Sequence, residues 1–298
     1  MGASVIEPTP VVEEIGAAAT PRRARGAAML RFLWRRNPVA CVLVAATVLS
    51  ATVGASVVSH QSVYTVNLLE TLSPPSLSHL LGTDAYGRDV LARVIVSTRV
   101  AMLAFVLVVG IAGTVGTLVG SLAGERGGWL DMGASRFVEL IQGFPFVLLA
   151  LGIVAILGPS EVHALVAIGI ATIPDFFRIS RGAAVELRDR EFVLAARAAG
   201  VRRFRLFYSE ILPNMLGSLV IVATFDGAQA IIAEATLSFL GLGAQPPQPS
   251  FGTMISDAKE YMVRQPLYLL MVAICLALVV LGLNMLGDTL SDYFSSES

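Results

Sequence analysis

Residues 38–59 run without a single charged side chain. About 20 mostly apolar residues are enough to cross the hydrocarbon core of a bilayer as a helix. In lipid, every backbone N–H and C=O must find its partner inside the protein, so a spanning segment becomes a helix or part of a closed barrel. Five further stretches have the same character: residues 100–124, 140–160, 162–174 extended to about Phe177, 211–225 continued at 227–233 past Asp226, and 265–287. Each is far longer than a barrel strand of about 9–11 residues. The expectation is therefore an all-α, polytopic membrane protein with six transmembrane helices. Only 14% of residues are charged and 55% are hydrophobic, against about 25% charged in soluble domains. Gly110, Gly113, Gly116 and Gly120 fall at the small-residue spacing that lets two helices approach closely in lipid.

Arginine placement orients the spans, because inner loops of membrane proteins carry the excess of Arg and Lys. With the N-terminus inside, the inner segments hold sixteen Arg and the outer ones five Arg or Lys. Both termini are thus expected in the cytosol. The domain reading is a flexible cytosolic tail at 1–30, a first transmembrane helix plus outer loop at 31–96, a five-helix membrane domain at 97–288, and a short cytosolic tail at 289–298. Cys41 and Cys275 sit in apolar runs and read as small buried hydrophobes. His60, His79 and His163 read as surface residues of outer loops, and no metal-ligand spacing exists.

Residues 191–213 form a basic break between spans four and five. Two short helical patterns flank Gly200, which suits a left-handed turn. Val201, Phe204, Tyr208 and Ile211 mark an apolar side, and Arg202, Arg203 and Arg205 supply charge. Pro213 suits the first turn of span five. Two readings remain open: an amphipathic helix on anionic lipid, or a docking segment for another protein. In residues 81–93, Gly82 marks a turn and Thr83 or Asp84 can cap the helix of span two. Asp84 with Arg88, and Asp89 with Arg93, are i,i+4 pairs in the favourable order. In residues 234–252, Pro246, Pro247 and Pro249 exclude a helix and favour a rigid extended turn. Asp226 and Glu234 lie at membrane depth, where a carboxylate faces a cavity or a partner group. They read either as part of a polar translocation path or as interhelix contacts.

Taken together, these segments resemble a known family. Ala195-Ala196, Gly200 and Ile211-Leu212-Pro213 resemble the cytoplasmic coupling loop of ABC importer permeases. Leu194 stands where that pattern usually has Glu, and Ile211 sits one place later than usual. Gly82, Thr83, Asp84, Gly87, Arg88 and Asp89, with Gly241, Gly243, Pro246 and Pro247, resemble the outer-segment motifs of the dipeptide/oligopeptide branch. The resemblance implies a type I importer permease fold with coupling helices between spans four and five, in a bacterial plasma membrane. It implies contact with an ATPase through Phe192, Ala195, Ala196, Gly200, Val201, Arg203 and Phe204. It also implies a heterodimer with a second permease chain, ATPase subunits that bind ATP and Mg, and an extracytoplasmic substrate-binding protein. The remaining partner is membrane lipid, and no nucleic acid is expected.

No G-x-x-x-x-G-K-[ST] string occurs and Lys259 is the sole lysine, so a Walker-type ATP site is excluded from this chain. The expected role is a transport subunit with no catalytic residue or cofactor of its own. Two alternatives stand beside peptide cargo: nickel or glutathione carried by the same assembly, and an ion-gradient-driven transporter or channel using Asp226 and Glu234.

Overall fold

The structure is a computed structural model describing residues 22–58 and 63–297. Residues 1–21 of the expected tail, and His60, lie outside the described residues. All named elements are helical: α1 (Arg22–Arg36), α2 (Pro38–Leu49), α3 (Val90–Arg126), α4 (Gly128–Gln142), α5 (Phe146–Leu157), α6 (Glu161–Leu187), α7 (Glu191–Ala198), α8 (Arg203–Leu206), α9 (Leu212–Phe239), α10 (Phe251–Lys259) and α11 (Pro266–Glu297). α2 runs on through a π-helical turn at Ser50–Gly54 into Ala55–Val57. Among the described residues, four helices are long and apolar enough to cross a membrane, and two bent pairs raise the number to six.

The expected six spans are present in outline, but their ends differ. Span three is not one straight helix over 140–160. α4 and α5 meet at 89°, because Pro145 has no N–H to donate and the chain turns at Gly143–Phe144–Pro145. Span five is continuous through Asp226; one aspartate costs a long apolar helix too little propensity to break it. The second span begins ten residues early, at Val90, with Asp89 as its cap. Residues 289–297 are not a separate tail but the last turns of α11, where Thr289 and Leu290 are buried.

α3 and α6 form the most extensive helix pair, and glycine is the reason. A Cβ at Gly116 would lie 2.6 Å from Phe176 Cβ and 2.7 Å from Ile173 O, and one at Gly120 would overlap Phe177 O. Gly124 extends the seam against Arg181 O, whereas Gly110 of the expected set faces open space. Without a hydrophobic force between helices in lipid, such close backbone approach is what drives the pair together. α9 packs across both helices and α11 lies along α9. At one end Val90, Ala101, Ile231, Phe251, Met254 and Val272 share a core; at the other Phe176, Val193, Leu206, Ile211 and Met215 share another.

Candidate functional site

The inner segment folds as the sequence suggests. α7 ends at Ala198, Gly200 sits at φ +76°, and α8 follows. A left-handed residue stops the helix and lets Val201 N–H reach back to Ala196 O at 3.1 Å. The apolar side differs from the expectation. Leu206 and Ile211 are the residues that point inward, both fully buried, whereas Phe204 is 83% exposed and Tyr208 is also exposed. Ile211 is inward as expected, while Leu206, two residues on from Phe204 and so on the opposite side of α8, takes the other inward place. Val193 anchors α7 in the same inner core, Ala196 and Val201 pack against that core, and Phe192, Leu194 and Ala195 face outward. Arg203 opens α8. The result is a two-helix handle with one apolar side in the membrane domain and another, carrying Phe192, Leu194 and Phe204, free of the chain.

A charged linkage ties this handle to the other spans, and sequence reasoning missed it. Arg197 of α7 meets Glu125 at the end of α3 at 3.6 Å, and the Glu125 side chain is 9% exposed. Arg188 donates to Gly124 O at 3.2 Å. Arg181 of α6 makes a two-pronged pair with Asp131 of α4, one prong at 2.7 Å. These partners lie 50 to 72 residues apart in sequence. No local spacing marks such pairs; the available hint was acids and arginines left over at span ends.

At the other end, residues 67–93 form a clamp. Asp89 caps α3 by accepting from Ala92 N–H at 2.7 Å, so the cap is Asp89 and not Thr83 or Asp84. Thr83 instead bridges to Asp89, and its hydroxyl donates to Glu70 O while accepting from Ser73 N–H at 2.8 Å. Asp84 is 1% exposed. Its carboxylate accepts from Arg88 Nε at 2.6 Å and from the N–H groups of Tyr86 and Arg88, each at 2.9 Å. Arg93, 2% exposed, pairs with Asp84 at 3.4 Å rather than with Asp89, and donates to Val63 O at 3.2 Å. The expected pair Asp84–Arg88 is therefore present but in a loop, and the expected pair Asp89–Arg93 is replaced. Asp89 faces His79 at 2.7 Å, which also approaches Glu70 at 3.4 Å; His79 is thus a paired, mostly covered residue and not a solvated surface one. The hydrogen bond to Asp89 raises the His79 pKa above its ordinary value, against a smaller opposing effect of burial. Asp257 of α10 stands 3.9 Å from Arg88, and burial pushes its carboxyl upward. Gly87 has φ +73° and presses on Asn67, so a side chain there would overlap Asn67 O. Gly82 is left-handed as well, at φ +78°.

The third motif lies beside the clamp. Glu234, 1% exposed, accepts from Ser238 Oγ at 2.6 Å, and Ser238 Oγ accepts from Ala244 N–H at 2.9 Å. Gly243 and Gly252 lie so close to Ser238 and to Ala235 O that a Cβ on either would overlap them. Gly241 turns the chain at φ +79°, and the exposed Pro246–Pro247 bond is cis. Ser238, oriented by Glu234, thereby fastens the loop 240–250 to α9 from inside the protein. Asp226, two turns earlier, is half-buried and feels the charges of Asp175 and Arg178 on α6, which pair with each other at 2.6 Å. The structure does not bring Asp226 and Glu234 into one cluster: one faces α6 and the other faces the outer loop.

Three comparisons bear on this arrangement. A family model described as "Binding-protein-dependent transport system inner membrane component" matches residues 116–297. The dipeptide transport system permease protein DppC of Alkalihalophilus pseudofirmus is 43% identical over 222 residues, covering 74% of this chain and 73% of that protein. The glutathione transport system permease protein GsiD of Pectobacterium atrosepticum is 37% identical over 218 residues, covering 73% and 72%. Among solved structures, an inward-facing MetNI methionine ABC transporter matches with a TM-score of 0.50 at 20% identity, covering 64% of this chain and 93% of that one. That likeness concerns the fold, and it is the type I ABC importer permease fold. Two apolar helix pairs, a basic handle at one end and a charged clamp at the other are thus the parts of a multi-pass permease subunit, and the chain belongs to the family of binding-protein-dependent transport system inner membrane components.

Proposed function

We propose that this chain is half of the translocation pathway of an ATP-driven importer of dipeptides or oligopeptides, and that residues 191–213 are where it meets the ATPase. One observation carries the reading. The handle α7–Gly200–α8 buries Val193, Leu206 and Ile211 in the spans while presenting Phe192, Leu194 and Phe204 outward among arginines. An apolar knob exposed on the cytosolic side, yet rooted in the membrane core, suits an element that is pushed by another protein. The proposed assembly comprises a second, homologous permease chain, two ATPase domains that hold ATP and Mg, and a substrate-binding protein on the outer face. Closure of the ATPase dimer moves the handle, the Arg197–Glu125 and Arg181–Asp131 pairs carry the displacement to α3 and α4, and the path between the two permease chains opens outward. Asp226 would then contribute a polar spot near the α6–α9 seam, and Glu234 would hold the outer loop in place.

Purification of the tagged chain with its ATPase tests the reading. Phe192→Glu with Leu194→Glu should abolish ATPase retention, whereas Leu77→Glu, on a fully exposed outer position, should leave it intact. Retention by the handle variant at the parental yield, or uptake that continues without any ATPase, would overturn the coupling role. Glutathione is the second cargo reading, favoured by the 37% identity to a glutathione permease. Uptake of labelled dipeptide against labelled glutathione separates the two.

A further inference from the structure

Span one is preceded by a helix that does not point across the membrane. The axes of Met29–Arg36 and Pro38–Gly54 differ by 111°, so a span that crosses the bilayer leaves α1 lying along its surface. The corner is built, not frayed. Asn37 accepts from Ala40 N–H at 3.2 Å and Pro38 opens α2, which fixes the entry angle. Phe32 meets Tyr293 edge-on at 5.2 Å, Leu33 is buried, and Arg36 approaches Asp292 at 3.5 Å, so α11 holds α1 from one side.

The surface left uncovered has two strips. Leu30 and Trp34, one turn apart, are 66% and 58% exposed. Next to them Arg31, Arg35 and Arg36 line, with Phe32, an open hollow of about 520 Å³. The hollow ends at Arg36, two residues before Pro38 opens span one, and the end of a spanning helix is where phospholipid headgroups meet acyl chains. Guanidinium forks match phosphate oxygens in pairs. Tryptophan favours the same depth because its ring is apolar and its N–H is polar.

We propose that the Arg31–Arg35–Arg36 hollow is a binding site for the phosphodiester headgroup of an anionic phospholipid, with Leu30 and Trp34 resting on its acyl chains. A soluble anion would use the arginines and leave the apolar strip without a role; a lipid uses both. The charge alone draws juxtamembrane basic segments to anionic lipid, and the adjoining apolar strip gives α1 the form of an interfacial helix. The site is independent of cargo and of the ATPase handle. Its effect is to fix the base of span one, and through Phe32–Tyr293 the end of α11, relative to the bilayer plane.

Native mass spectrometry of the purified full-length chain in its assembly, titrated with single lipids, tests this. Phosphatidylglycerol should bind about tenfold more tightly than phosphatidylcholine. Replacing all three arginines (Arg31→Gln, Arg35→Gln, Arg36→Gln) should remove the preference, and the matching triple lysine variant should restore much of it, which separates lost charge from lost fold. Leu30→Ser with Trp34→Ser should weaken phosphatidylglycerol without changing the lipid order. Inorganic phosphate should not displace the lipid. Equal binding of the two lipids, an unchanged preference in the glutamine variant, or displacement by inorganic phosphate would each overturn the proposal.

Discussion

Asp84→Ala is the sharpest perturbation the outer clamp offers. The carboxylate removed is 1% exposed and stands between Arg88 at 2.6 Å and Arg93 at 3.4 Å, the latter itself 2% exposed. Deleting one partner of a buried ion pair strands the other charge and costs about 3–5 kcal/mol. Two opposing corrections apply. Asp257, 3.9 Å from Arg88 and partly exposed, can take over some of the Arg88 charge. The N–H groups of Tyr86 and Arg88 lose their acceptor at the same time. A net loss of about 4 kcal/mol corresponds to about a thousandfold, at 1.4 kcal/mol per decade. The natural readout is hydrogen exchange of the assembly in lipid discs, because the amides of Leu72 and Thr83 are bonded across this loop. Their exchange should accelerate about a thousandfold, provided opening is local, while amides in the α3–α6 seam keep their protection. Asp84→Asn retains an oxygen for the two N–H groups but turns an NH2 donor toward Arg88 Nε and still strands the cations, so its acceleration should fall within about tenfold of that of Asp84→Ala. Adding Arg93→Met to Asp84→Ala removes the stranded cation and should recover at least about tenfold. An acceleration under about tenfold for Asp84→Ala, or no recovery in the double variant, would refute the claim that this charge cluster holds the clamp.

Three further outcomes follow from the same geometry. Because the folded-state pKa of His79 is raised, its contribution to clamp stability is fully present below the unfolded value of about 6.5 and fades as pH rises through the higher folded value; protection of residues 76–89, taken relative to intrinsic base-catalysed exchange, should fall between mildly acidic and mildly alkaline pH, and His79→Gln should flatten that dependence. Gly116→Ala places a Cβ 2.6 Å from Phe176 and should cost about 1–3 kcal/mol by overpacking, lowering the thermal midpoint, whereas Gly110→Ala points into open space and should leave it unchanged or slightly higher. Gly200→Ala meets no neighbour but must adopt φ +76°, a strain of about 1–2 kcal/mol, so substrate-stimulated ATP hydrolysis should fall while ATPase retention persists; loss of retention instead would mean that the turn shapes the docking face itself.

The spans and the break between them were legible because lipid imposes a simple test, that of length and freedom from charge. Gly200 and Pro213 were legible because each answers a backbone need found within a few residues. What escaped was set by distance or by register. The bend at Pro145 is hidden inside an apolar run whose composition never changes. The inward turn of Leu206 in place of Phe204 depends on which side of α8 meets the spans, and a four-residue helix carries too little pattern to show it. Asp84 does pair with Arg88, but the partner of Asp89 was misassigned because an i,i+4 rule presumes a helix, and residues 81–89 fold as a loop closed by Thr83 N–H bonding to Ser73 O and Val90 N–H to Gly82 O.

The two ends of the membrane domain are fastened by opposite means. At the clamp end, charged side chains are buried: Asp84, Arg93 and Glu234 are each 2% exposed or less, and backbone bonds close the loops around them. Interactions of that kind are weak sources of net stability but severe to break, so they favour one arrangement over all others. At the handle end, the ties are the Arg197–Glu125 pair and the two-pronged Arg181–Asp131 pair, whose arginines are each about 39% exposed. With their arginines open to solvent, such pairs contribute on the order of 1 kcal/mol and can lengthen or re-form more readily than the buried cluster. A domain rigid at its clamp end and more loosely strung at its handle end should move most where the handle is attached. Displacement applied to α7 would therefore tilt α3, α6 and α9 about the outer clamp, with the glycine seam between α3 and α6 keeping those two helices together as one lever. Weakening the clamp should accordingly disturb transport more than it disturbs ATPase binding, and weakening Arg197–Glu125 by Glu125→Gln should uncouple hydrolysis from uptake while both proteins remain assembled.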